Sequence, residues 1–382
     1  MPKARASYLV PFLGLLSACG PELPVDLAPG GEELLPIING EACDPGELDT
    51  AIAILVDADV DFGSFGQQQI KTVVCTGTLI APDVVLTAAH CLDAASLTLG
   101  FGEVTREDYY VTFESDLSGL TEQMQGGQAA FPEDAIKATR KVFHENFNLQ
   151  NFENVSGPGN YHDIGLLFLE QTIDDVEPEV VITADEAAQL EEGADVLIAG
   201  WGQQTQTSGP FEAPPPGTVG KKICAASFVN ELGSHEMQIG GDASTSRKCH
   251  GDSGGPTYFE VTTEHARTRR VIGITSHAYD QEDCAKGGVD TRVDAWLPWF
   301  DEQMTAACQD GTRVWCDVEG LIPPSFYDPP PATDGGDGKG KDGDGDAPPG
   351  GCGCGESESG DPSLAVAALG LFAFGVARRR RR

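Results

Sequence analysis

The sequence is short of basic residues: 24 Lys and Arg stand against 60 Asp and Glu in 382 residues, a formal charge of −36. A nucleic-acid binder needs a basic face to meet phosphates, so that class is excluded. Seven of the basic residues sit at the two ends, Lys3, Arg5 and Arg378 to Arg382. Residues 19–377 then hold 17 basic against 60 acidic side chains, a balance of −43. Basic residues gathered at one site in such a body carry information. The chain also lacks any apolar run of the ~20 residues that a membrane-spanning helix needs. It has no self-similarity at solenoid periods. No Cys/His group has a zinc-like spacing, and neither a metal nor a cofactor is expected. Apolar residues make up 40%, enough for a buried core, so wholesale disorder is excluded. This length fits one large domain or two small ones, with tails.

The two ends read as addresses. Lys3 and Arg5 precede an apolar run from Tyr8 to Leu16, followed by Ser17-Ala18-Cys19. A basic start, a short apolar stretch and small residues before a cut make an export signal over residues 1–18. Leu16-Ser17-Ala18-Cys19 resembles a bacterial lipobox, which implies that Cys19 becomes the lipidated first residue of a tether over residues 19–36. An ordinary signal peptide with an incidental cysteine is the other reading. At the far end, residues 321–362 are a Pro/Gly/Asp-rich linker ending in Gly351-Cys352-Gly353-Cys354-Gly355. An apolar stretch from Leu364 to Ala377 and five arginines complete residues 363–382. That layout resembles the myxobacterial C-terminal sorting signal; a plain tail anchor with cytoplasmic arginines is its rival. Asp342 to Asp346 lacks the sixth-position glycine and final Glu of a calcium loop, and reads as solvated linker. Both ends together predict an exported protein at the cell envelope or surface, membrane-held through the lipid and the sorting helix and open to release.

Between the tails, short β-type runs recur between Gly, Pro, Asn and Asp clusters. They include Thr50–Val56, Thr78–Ile80, Val84–Leu86, Ile164–Leu169, Val196–Ala199 and Val271–Thr275. This spacing predicts an all-β barrel or sandwich. One helical pattern closes the body at Val293–Met304, with Trp296, Trp299 and Phe300 on its apolar face.

Three segments carry chemistry: Leu86-Thr87-Ala88-Ala89-His90-Cys91, His162-Asp163-Ile164-Gly165-Leu166-Leu167, and Cys249-His250-Gly251-Asp252-Ser253-Gly254-Gly255-Pro256. Together, in the order His, Asp, Ser, they resemble the chymotrypsin-like (trypsin-fold) serine peptidases. The resemblance covers about residues 37–302 and implies two packed antiparallel β-barrels with a C-terminal helix. A serine hydroxyl is a poor nucleophile at neutral pH and needs an adjacent base. The resemblance makes Ser253 the nucleophile, His90 the base and later acid, and Asp163 the group that holds the imidazole. His162 is read as a partly exposed bystander. Gly251 turns the backbone so that the amides of Gly251 and Ser253 face a developing oxyanion. Ser276 aligns with the serine that lines the substrate pocket and supports the aspartate in the family.

Ile37-Ile38-Asn39-Gly40 resembles the new N-terminus of an activated member, whose freed amine pairs with the acid beside the nucleophile, here Asp252. The preceding residue is Pro36 rather than Lys or Arg, so a different activating protease is implied, or a site formed without cleavage. Eleven cysteines in an exported chain read as a disulfide framework. The resemblance pairs Cys75 with Cys91, Cys249 with Cys284, and Cys43 with Cys224. Cys308 and Cys316 are left to close a small loop over residues 303–320. Cys19, Cys352 and Cys354 fall in the tails.

The substrate pocket departs from the pattern. Arg247 stands at the position of the pocket floor, flanked by Lys248 and His250. His277 replaces the expected tryptophan on the wall, and Gly288 keeps the far wall open. One reading is an acidic P1 preference carried by Arg247. The other is a shallow, apolar or mixed pocket. His90 and Asp163 are 73 residues apart, so a loop insertion is expected within residues 101–160 and a second within 203–220, for substrate selection or as neutral elaboration. The function expected is a monomeric serine endopeptidase acting on proteins or peptides through an acyl-enzyme on Ser253. The rival is a catalytically silent surface binding protein on the same scaffold.

Overall fold

A computed structural model describes residues 36–98, 102–123, 130–204, 217–242, 244–280 and 284–330. The export signal, Cys19, the Pro/Gly/Asp-rich tail beyond residue 330 and the Leu364–Ala377 stretch lie outside the described residues. So does most of the expected 203–220 insertion. Among the described residues no helix is long and apolar enough to cross a membrane.

The first barrel is closed by β2 (Ala51–Asp61), β3 (Gln67–Ala81), β4 (Val84–Thr87), β7 (Gly165–Leu169), β6 (Ile136–Phe143) and β5 (Glu103–Thr112), in that order. The second runs β8 (Asp195–Gly200), β9 (Ile223–Leu232), β10 (Glu236–Ile239), β13 (Gly288–Arg292), β12 (Arg269–Ala278) and β11 (Pro256–Glu260), then returns to β8. The two-residue β1 (Glu41–Ala42) adds to β9. Two closed six-stranded antiparallel barrels, as expected, leave few free sheet edges.

Alternation along β2 shows how the sequence places both faces. Ile52, Ile54, Val56, Ala58 and Val60 point into the first barrel, while Ala51, Ala53 and Leu55 join the core shared between the barrels. Successive strand side chains point to opposite faces, so one strand serves two cores. The shared core also takes Phe168, Trp201, Tyr258, Val293 and Phe300. The interior of the second barrel is lined by Ile182, Val196, Ile198, Val229, Met237 and Ile272, and the side chain of Ile37 is sealed in with them.

Residues 101–160, expected to hold an insertion, supply β5 and β6 of the first barrel; the additional chain lies between and after them. The closing helix runs Leu297–Gln309 after a tight turn at Asp294–Trp296, later than the 293–304 pattern placed it. Pro298 explains the offset, since proline is well tolerated in a helix's first turn and poorly within it. Residues 321–328, expected as linker, pack on the body: Ile322 and Pro324 are buried, and Asp328 accepts hydrogen bonds from the Ala266 amide and from His265.

Candidate active site

The structure pairs Cys75–Cys91, Cys249–Cys284, Cys43–Cys224 and Cys308–Cys316. Two of these bridges bound the site. Cys91 follows His90 in the short turn Ala89–Cys91, and Cys249–Cys284 ties the Ser253 loop to the chain entering β13. Two Cys/His groupings come together among the described residues, Cys75/His90/Cys91 and Cys249/His250/Cys284. Their sulfurs are already joined in disulfides, so neither offers a thiolate to a metal.

Asp163 is fully buried, and both of its carboxylate oxygens meet His90. One carboxylate oxygen accepts the His90 amide at 2.8 Å; the other meets His90 Nδ1 at 2.7 Å. That second oxygen also accepts the Ser276 hydroxyl at 2.7 Å, and Thr291 donates to the Asp163 carbonyl at 3.0 Å. An anion accepting from Nδ1–H leaves Nε2 of His90 as the basic nitrogen. His90 comes from the first barrel, Ser276 and Thr291 from β12 and β13 of the second, so the constellation exists only when both barrels pack.

Ser253 is half-buried on the turn before β11. Gly251 has φ +95°, a conformation side chains avoid, and an added Cβ would lie 2.9 Å from Gly202 Cα. The Thr76 amide donates to the Ser253 carbonyl at 2.8 Å, locking the turn to β3 beside the Cys75–Cys91 bridge. The Gly254 amide is taken by the Thr275 carbonyl at 2.8 Å and that of Asp252 by Cys249 at 3.1 Å. Among the described residues the amides of Gly251 and Ser253 are not engaged.

Asp252 is also fully buried. Its two oxygens accept the amides of Gly202 and Cys249, each at 2.9 Å, and burial pushes the carboxyl up to about 6 despite those bonds. The Ile37–Gly40 segment is docked against the chain leading to Ser253: the Arg247 amide donates to the Ile38 carbonyl at 3.1 Å, and Ser246 Oγ to that of Asn39 at 2.9 Å.

The pocket residues divide. Arg247 is buried, with Nε on the Cys284 carbonyl at 2.6 Å and Nη1 on the Thr245 carbonyl at 3.1 Å. Lys248 does not add free charge there, because it is matched by Asp290 at 2.8 Å with both side chains sealed. His250 is exposed at the rim, and Gly288 lies beside Lys248. His277 is buried and hydrogen-bonds Glu236 at 3.3 Å and the Ala278 carbonyl at 2.8 Å. Burial opposes its charged form, yet Glu236, that carbonyl and Asp163 outweigh burial and raise its pKa. Phe152 stands 6.3 Å from the His90 ring and 5.6 Å from that of His277, with Tyr161 closing the group. Asp290, Glu236, Phe152 and Tyr161 have no local sequence signal; each was found only through its partner.

A family model described as Trypsin matches residues 37–300. The chain belongs to the trypsin family. It is 26% identical over 246 residues to a phenoloxidase-activating enzyme of Bombyx mori, covering 59% of this chain and 53% of that protein. It is 29% identical over 253 residues to coagulation factor XII of Sus scrofa, covering 61% of this chain and 36% of that protein. The chain thus spans about half or less of the length of these curated relatives. Among solved structures, neuropsin, a serine protease of mouse brain, aligns at 22% identity and a TM-score of 0.45, over 70% of this chain and 99% of its own.

Proposed function

We propose that the chain is an exported serine endopeptidase that hydrolyses peptide bonds through an acyl-enzyme on Ser253. The observation that carries this reading is the buried Asp163 carboxylate shared between His90 and Ser276, the residue after Thr275, whose backbone is bonded to Gly254 and Gly255 beside Ser253. His90 Nε2 takes the hydroxyl proton as Ser253 attacks the carbonyl, then returns it to the leaving amine. Asp163 fixes the tautomer and stabilises the imidazolium. The unengaged amides of Gly251 and Ser253 receive the oxyanion, each such donor contributing about 3 kcal/mol to the transition state. In the resting chain no group among the described residues bonds the Ser253 hydroxyl; catalytic hydrogen bonds commonly tighten only with substrate.

Cleavage before Ile37 frees an amine to pair with Asp252, whose buried carboxyl lacks a full counter-charge in the continuous chain. With Cys19 lipidated, the same cut releases the body from its N-terminal anchor. The acidic P1 preference rests on Arg247, because Lys248 is neutralised by Asp290.

The test uses residues 37–330 with Ile37 as a free N-terminus, beside a Ser253→Ala control. Both are incubated with a mixed peptide library, and a serine-reactive phosphonate probe is applied in parallel. Labelling and cuts that vanish in the control support the peptidase, and cuts after Asp or Glu support the role of Arg247. A P1 profile left unchanged by Arg247→Asp refutes that role. A folded chain that neither labels nor cuts overturns the peptidase reading and moves the weight to the catalytically silent binding protein.

A further inference from the structure

His162, directly before Asp163, has a left-handed backbone with φ +57°. Outside glycine that conformation is uncommon, and it persists where the surroundings over-determine it. The surroundings here are a ring cluster. His162 lies 4.8 Å from His144 and 5.0 Å from Trp296, centroid to centroid. His144 lies 4.7 Å from Trp296 and stacks on Trp299 at 5.6 Å. His235, from the turn between β9 and β10, reaches the other side of Trp296 at 5.6 Å. Three of the chain's seven histidines therefore meet two tryptophans behind the aspartate. The Ile164 amide donates to the His162 carbonyl at 3.0 Å, which bends the chain around Asp163.

We propose that His162 is a positioning residue for Asp163, and that its tilted ring packing against His144 and Trp296 holds only while the imidazoles are uncharged. This rests on the reading of Asp163 as the partner of His90 in catalysis. The titratable groups facing His162 are His235, Glu145 and Glu236; those facing His144 are Glu145, at 3.7 Å, and His162. Burial holds both imidazoles below the ordinary 6.5, and the carboxylates do not offset it. A histidine with a depressed folded pKa contributes stability that is present above its unfolded pKa and lost as pH falls through the folded one. The cluster loosens from 6.5 downward, and Asp163 loses its alignment with His90.

Two variants of the full chain test this. His162→Val places a β-branched residue in the left-handed region, and kcat should fall about ten-fold or more with KM little changed. His162→Asn suits that region without titrating; it should restore most of the lost kcat. It should also make the acid limb of kcat/KM shallower than in the parent, because one of the two titrating imidazoles of the cluster is gone. Unchanged kcat in the valine variant, or an acid limb in the asparagine variant as steep as in the parent, overturns the proposal. If the valine variant does not fold, the asparagine profile decides alone. A parent that neither cuts nor labels has failed as a peptidase, and the cluster is then tested in the Ser253→Ala chain. Its thermal midpoint should drop more between about pH 7.5 and about pH 5.5 than with His162→Asn added. Equal drops overturn the proposal.

Discussion

Lys248 donates to Asp290 at 2.8 Å, and neither side chain meets solvent. An ammonium has three N–H donors. The other two go to Thr257 Oγ1 at 2.8 Å and the Gly255 carbonyl at 3.1 Å, so none is left for a substrate carboxylate. Thr257 also donates to Asp290 at 2.5 Å. Burial drags the lysine pKa down, with Asp290 pulling against it.

Removing one member should therefore hurt more than removing both. Lys248→Met leaves a buried carboxylate and should cost about 3–5 kcal/mol in urea unfolding, whereas Lys248→Met with Asp290→Leu should recover most of that. A double variant as unstable as the single one would show that the charges are not what the site responds to.

Ser276 and Asp163 should separate orientation from chemistry. Asp163→Asn should lower kcat by about 10⁴-fold through the wrong imidazole tautomer. Ser276→Ala removes one hydrogen bond to a charged group, worth about 1.5–3 kcal/mol, and should cost about ten- to a hundred-fold. Steady-state kinetics on one peptide substrate check both, and a loss in Ser276→Ala equal to that in Asp163→Asn would contradict the assignment.

Asp252 predicts a pH-dependent gap between the cleaved and continuous chains. In the continuous chain the carboxyl is raised from 3.8 to about 6. An acid with a raised folded pKa contributes stability below its unfolded value and loses it as pH rises through the folded one. Above that window the continuous chain carries a buried carboxylate at a cost of about 3 kcal/mol. A freed Ile37 ammonium removes the cost. Unfolding of the two forms should agree near pH 4 and diverge by about 3 kcal/mol at pH 7, and Asp252→Asn should abolish the divergence. A gap of constant size across that range counts against the pairing.

Arg313 ties the chain after the closing helix to the first barrel. It meets Asp83 at 3.0 Å with both side chains fully buried, and Asp83 also accepts the amides of Val314 and Trp315 at 2.9 and 2.8 Å. Arg313→Met should cost about 3–5 kcal/mol, because Asp83 is left with buried charge. Truncation after Gln309 should lower the thermal midpoint as well. An Arg313→Met chain as stable as its parent would show the extension to be passive.

The fold class and much of the site were legible because their signals are local. The β runs and the turn glycines around Ser253 sit within a few residues of one another. His90, Asp163 and Ser253 each carry a short context that matches the family. Strand boundaries were harder to read. β5 and β6 were not among the strands read from the sequence, since Glu103–Thr112 is polar on its outer face and Ile136–Phe143 is nowhere deeply buried. The pocket was read by position alone, which put three cations together and did not anticipate the one anion that matches Lys248.

The sequence by itself pointed to the family and to an all-β body, because both are written in short contexts or in alternation along a strand, and the two barrels and three of the four disulfide pairings followed from the resemblance. The tertiary structure alone decided which charges are matched and which rings meet. Lys248 finds Asp290 42 residues away, His277 finds Glu236 41 away, and Arg313 finds Asp83 230 away. Such pairs depend on which strands lie side by side once the barrels close. Burial then makes them matter, since a charge or an imidazole removed from water takes its behaviour from the few groups that touch it.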